Sequence, residues 1–121
     1  MVMAESGPGT RGMADVFSLP YKTAFVNATD IGNTPVVAAV AGKKIRVTGY
    51  TLNNGGAAAV AVNFQSGTTA ISSTKTLAAT GGGMVGLIAQ GFLFETTEGQ
   101  PLNINLAAAG TVGGDVTYLE V

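Results

Sequence analysis

The feature that most constrains this chain is its punctuation. After Pro20, short runs rich in Val, Ile, Thr and Phe are cut by Gly, Asn and Thr clusters at spacings of roughly 8 to 12 residues, the pattern of an all-β sandwich or barrel. Nine strands are expected: Thr23 to Ala28, Pro35 to Val40, Lys43 to Leu52, Ala58 to Gln65, Lys75 to Ala79, Met84 to Ala89, Phe92 to Thr96, Pro101 to Ala107 and Gly114 to Val121. The Ala-rich runs are interrupted by Val, Thr and Gly and lack caps, so helix is nearly absent from this reading. Ala57-Ala58-Ala59 is the stretch that most tests it.

Within the strands the alternation assigns faces. Ile45 and Val47 interleave with Lys44 and Arg46, Val60, Val62 and Phe64 with Ala61 and Asn63, and Leu102, Ile104 and Leu106 with Asn103 and Asn105. Successive side chains of a strand point to opposite faces, so each apolar set is expected to turn inward. Asn53-Asn54-Gly55-Gly56 has the residues a tight β-turn requires, and it predicts that Lys43–Leu52 and Ala58–Gln65 pair antiparallel as a hairpin. The last strand runs to Val121 without a polar tail, and Val121 is expected to be tied into a sheet.

A chain of 121 residues supports one core, expected over residues 21–121. Residues 1–20 hold Gly and Pro breakers and no sustained period, and are expected to form an extended N-terminal arm free to dock on something. Met3 and Met13 leave the biological start open. Eighteen glycines supply little interior volume, and only 11% of the residues are charged, with a positive mean hydropathy. Few charges are available to coat the outside, so partner subunits are expected to cover part of the apolar surface.

Absent residue types narrow the chemistry further. No histidine occurs, which removes imidazole acid–base work, histidine-activated nucleophiles and most transition-metal sites. No cysteine occurs either, so disulfides and thiolate ligands are excluded, in keeping with a reducing cytoplasm. A net charge of −1 gives no general pull toward nucleic acid or acidic lipid. No apolar run reaches the roughly 20 residues of a membrane-spanning helix, and the N-terminus lacks a basic segment followed by an apolar one. Neither membrane insertion nor Sec export is expected.

Each remaining cluster has a plain alternative. Glu95 and Glu98 could be read as a carboxylate pair, but Glu95-Thr96-Thr97-Glu98-Gly99-Gln100-Pro101 has the composition of a strand end entering a turn. Gly7-Pro8-Gly9-Thr10-Arg11-Gly12 matches a dinucleotide fingerprint in letters only, without the strand before it and the helix after it. Gly81-Gly82-Gly83 lacks the Lys and Ser/Thr of a phosphate loop. Asn27-Ala28-Thr29 is a sequon without meaning unless the chain is secreted, and Asp15, Asp30 and Asp115 are too scattered for a calcium loop. No catalytic residue, cofactor or metal ligand is therefore expected. Lys43, Lys44 and Arg46 form the one basic cluster, with Lys44 and Arg46 on one strand face. It reads either as a contact for an acidic partner or as a charged strand edge that discourages sheet-to-sheet aggregation.

From about Val37 to Val121 the phrases VAAVAGKKIRVTGYTL, VNFQSGTT, LAATGGG and FETTEGQPLNINLAAAGTVGGDVTYLEV resemble small tailed-phage head or capsid decoration (cement) proteins. The resemblance implies a jelly-roll-like antiparallel β-sandwich and a homotrimer on the capsid exterior. Such a protein is made in the host cytoplasm and bridges capsomers of the major capsid protein. Arg11, Phe17 and Tyr21 of the arm, with Lys44 and Arg46, are the candidate capsid contacts. The competing expectation is a tail or fibre head domain that binds a host receptor or glycan, for which three Tyr and no Trp provide thin stacking material. A jelly-roll enzyme of the cupin kind would need the histidines that this chain lacks.

Overall fold

The computed structural model describes residues 20–88 and 90–121, so the expected arm lies outside it apart from Pro20, and with it Arg11 and Phe17. Among the described residues there are ten strands and no helix: β1 Lys22–Ala28, β2 Gly32–Val37, β3 Ile45–Asn54, β4 Val60–Ser66, β5 Thr69–Ala70, β6 Lys75–Leu77, β7 Gly82–Leu87, β8 Phe94–Glu95, β9 Leu102–Leu106 and β10 Val112–Glu120. Every expected strand overlaps one of them, and the two-residue β5 is additional.

The strands form two sheets, all pairings antiparallel. The first has the order β1-β10-β3-β7, with β8 also on β3, and the second β2-β9-β4-β5, with β6 also on β4. If β5 and β8 are set aside, the first sheet takes the first, eighth, third and sixth strands and the second sheet takes the second, seventh, fourth and fifth. That is the jelly-roll order, in which nearly every connection crosses between sheets.

Alternation produces the core. Ile45, Val47, Val60, Val62, Phe64, Leu102, Ile104 and Leu106 are all buried, as their spacing predicts, and Val26, Val112, Val116 and Leu77 complete the interior. On β3 the inward set continues at Tyr50 and Leu52, three residues after Val47 instead of two. The break is a bulge: Thr117 pairs with Gly49 and Tyr118 with Val47, so Thr48 has no opposite number. An extra residue resets the period-2 phase, and the Thr48 hydroxyl donates to the Thr117 carbonyl at 3.2 Å. Tyr50, Phe64 and Phe94 then cluster, with ring centroids 5.1 to 6.2 Å apart.

The hairpin expectation is corrected. β3 and β4 lie in different sheets, and Asn53–Gly56 carries the chain across between them. The cause is Asn54, which is fully buried instead of sitting at a turn tip. Its Nδ2 donates to the carbonyls of Ala58, Leu77 and Ala78 at 2.9 to 3.3 Å, and its Oδ1 accepts from the Gly56 amide at 2.9 Å. The Gly55 amide donates to the Thr111 carbonyl at 2.8 Å, so the crossover is bound from both sides. Ala57-Ala58-Ala59 follows without helix, Ala57 and Ala58 as bends.

Two further expectations concern strand ends. β2 begins at Gly32, ahead of Pro35, because it is an edge strand and tolerates a residue without an N–H. Val121 exchanges backbone hydrogen bonds with Lys44 at 2.7 and 2.9 Å, which ties it to the first sheet.

Candidate functional site

The surfaces available for recognition are the two outer sheet faces, and their chemistry differs. On the first sheet the outward residues fall in register across four strands. Phe25, Asp115, Thr51 and Val85 make one row, and Thr23, Thr117, Gly49 and Leu87 the next. Phe25 and Val85 are each 73% exposed and Leu87 81%. The apolar side chains stand on the marginal strands β1 and β7, and the small or hydroxylated residues lie between them. Two shallow depressions occupy that trough, one of about 240 Å³ beside Tyr21, Gly49, Leu87 and Ile88, the other of about 150 Å³ beside Gly49, Thr51, Val85 and Asp115. Asp115 is the one charge in these two rows, and its carboxylate accepts from the Thr51 hydroxyl at 3.4 Å.

On the second sheet the corresponding rows are amides. Asn33, Asn105 and Asn63 are in register, as are Pro35, Asn103 and Gln65. The Asn105 amide donates to Asn33 Oδ1 at 2.8 Å and Gln65 donates to Asn63 Oδ1 at 3.3 Å, while Asn33 and Asn103 both donate to the Gly67 carbonyl. This face is polar without being charged, and neither row holds an aromatic ring.

The candidate contact residues can now be placed. Tyr21 is 52% exposed and lines the larger depression of the first sheet. Arg46 belongs to the same end of that sheet, since it pairs with Leu119 while Lys22 pairs with Tyr118. The Arg46 Nε donates to Glu95 Oε2 at 2.9 Å, its guanidinium lies 4.5 Å from the Phe92 ring centroid, and Lys44 Nζ is 3.8 Å from Glu95 Oε1. The basic pair is thus largely engaged within the fold. The strand-edge reading of the cluster is corrected as well, because at Arg46 β3 is flanked by β10 on one side and β8 on the other.

The clusters tested for chemistry resolve into structure. Glu95 faces Arg46, whereas Glu98 lies in the turn that Gln100 closes by donating to the Thr97 carbonyl at 3.1 Å. Thr96 is buried, and its hydroxyl accepts from the Ile45 amide at 2.9 Å. A cleft of about 410 Å³ opens between the sheets beside Tyr50, Phe94, Ile71, Ser72, Ser73 and Lys75. Its Lys75 ammonium donates to Ser73 at 3.1 and 3.2 Å, and no carboxylate lines it. Burial pushes the Tyr50 phenol above its ordinary pKa, and the hydrogen bond and charge of Glu120 raise the Lys22 ammonium. Among the described residues no group of three or more acidic side chains gathers, and no helix is long and apolar enough to cross a membrane.

Sequence reasoning missed Phe25, Val85 and Leu87. The available signal was the run Met84-Val85-Gly86-Leu87-Ile88, in which apolar residues do not alternate with polar ones and both strand faces are therefore apolar. Comparison with protein-family models, with curated proteins and with solved structures gives no match. The fold class, an antiparallel jelly-roll sandwich, therefore rests on the topology itself.

Proposed function

We propose that this chain is a structural, non-enzymatic phage capsid decoration protein, acting as a homotrimer that bridges capsomers of the major capsid protein on the capsid exterior. The observation that carries the reading is the outer face of the first sheet. Phe25, Val85 and Leu87 expose apolar area together, on a surface that a monomer in water gains nothing by leaving bare. The resemblance of the phrases between Val37 and Val121 supplies the capsid context. The mechanism is mechanical: many weak contacts, repeated by symmetry, resist expansion of the shell under the pressure of packaged DNA.

In this reading the N-terminal segment with Arg11 and Phe17 reaches onto the shell. Light scattering on the purified protein, followed by sedimentation with undecorated capsids of its own phage, tests the proposal. A trimer that co-sediments is expected, and a monomer that stays in the supernatant would refute it. Removal of residues 1–20 is expected to weaken co-sedimentation, and unchanged binding would take the arm out of the mechanism. The receptor-binding alternative comes second, because the polar face that would read a glycan has no ring in its amide rows on which to stack one.

A further inference from the structure

We infer that the copies meet through the outer face of the first sheet, with the β7 margin of one subunit entering the trough of the next, so that the contact is head-to-tail and closes into a ring. The inference rests on the oligomeric part of the proposed function and deepens it by naming the surface.

The partner is a second copy on grounds of charge and shape. The trough offers no cation to a nucleic acid or an acidic membrane, and its single carboxylate is engaged by Thr51. What fits it is an uncharged apolar ridge of one or two side chains. This chain carries such a ridge itself, Val85 and Leu87 on the marginal strand β7, side by side with the trough instead of inside it. A ridge at the margin can seat on a neighbour's face without strands colliding, whereas the depressions of about 150 and 240 Å³ accept branched aliphatic groups.

A head-to-tail ring is favoured over a two-fold stack for two reasons. A two-fold stack centred on the face encloses the Asp115 carboxylates of both copies in one interface, and like charges brought into one interface are unfavourable. The face is also small. Four strands about 4.8 Å apart and about 20 Å long present roughly 400 Å² in plan, so a stacked pair covers about 800 Å² in total, below the roughly 1,000 Å² of a stable interface. In a closed ring the trough and the ridge of every copy are both covered, so a subunit is held by two neighbours at once and leaves only when both contacts open.

The test is the solution mass of the full chain and of two variants, Leu87→Asp on the ridge and Thr51→Arg in the trough, by light scattering coupled to size exclusion. Both positions point to solvent in the single chain, so far-ultraviolet circular dichroism of the variants is expected to match the parent. The expected result is a three-copy mass for the parent and a single-copy mass for each variant. A parent trimer whose variants both remain trimeric overturns this face while leaving the trimer reading intact. A parent that is dimeric overturns the ring in favour of the stack. A monomeric parent overturns the inference together with the oligomeric reading.

Discussion

Asn54 offers the sharpest test of the fold, because the crossover and a hairpin assign it opposite energetics. In the crossover its side chain is fully buried. Its two amide hydrogens are shared among the carbonyls of Ala58, Leu77 and Ala78, and its oxygen holds the Gly56 amide. Asn54→Ala deletes about three hydrogen bonds at a site that water does not reach, and at about 1 kcal/mol net for each the loss is roughly 3 kcal/mol. For a domain of about 100 residues that corresponds to a fall in melting temperature of roughly 10 to 20 °C, or to a urea midpoint lower by about 2 M at a slope near 1.5 kcal/mol per M. An exposed turn residue would give a change within about 0.5 kcal/mol. Urea denaturation followed by circular dichroism, with both proteins at one fixed concentration because association shifts apparent stability, separates the two. A midpoint for Asn54→Ala indistinguishable from the parent would refute the buried network and the sheet assignment that depends on it.

Other outcomes follow from the same interior and its rim. Gly86 sits under the Tyr50 ring, which a Cβ would overlap, so Gly86→Ala is expected to cost about 1 to 3 kcal/mol and to alter the near-ultraviolet dichroism of the aromatic cluster. Burial raises the Tyr50 pKa, so between the unfolded value near 10 and the higher folded value the native state binds more protons. Stability from this group is therefore complete below about pH 10 and is lost as pH climbs through the folded pKa, and Tyr50→Phe is expected to remove the late-titrating part of the phenolate absorbance at high pH. The Arg46–Glu95 pair is partly exposed, so Glu95→Gln is expected to cost less than about 1 kcal/mol, with the difference shrinking at high salt in thermal melts.

What the sequence made legible was whatever depends on period 2 within one strand. Val60, Val62 and Phe64, or Leu102, Ile104 and Leu106, have a single apolar face, and one pattern suffices to bury it. Pairing across strands was less legible, because Asn-Asn-Gly-Gly satisfies a tight turn and a sheet crossover equally well. Only the position of Ala58, Leu77 and Ala78 around Asn54 decides between them. The Thr48 bulge left no mark either, since an inserted residue is recognised by the partner strand it fails to match. The basic cluster at Lys44 and Arg46 was visible, but its neutralising carboxylate lies 49 residues from Arg46 on β8, a contact set by topology and not by local pattern.

Low charge content alone argued for buried surface, yet on the second sheet Asn33, Asn63, Asn103, Asn105 and Gln65 keep the surface wet without ions by bonding one another and the Gly67 carbonyl. A chain with few charges therefore does not need a partner on that side. Between the two sheet faces the demand falls on the first, where Phe25, Val85 and Leu87 occupy outward positions that alternation would ordinarily fill with polar residues. The proposed association rests on three side chains on two strands more than on the composition of the whole. Substitutions there consequently probe association directly, while substitutions among the amides are expected to leave it untouched.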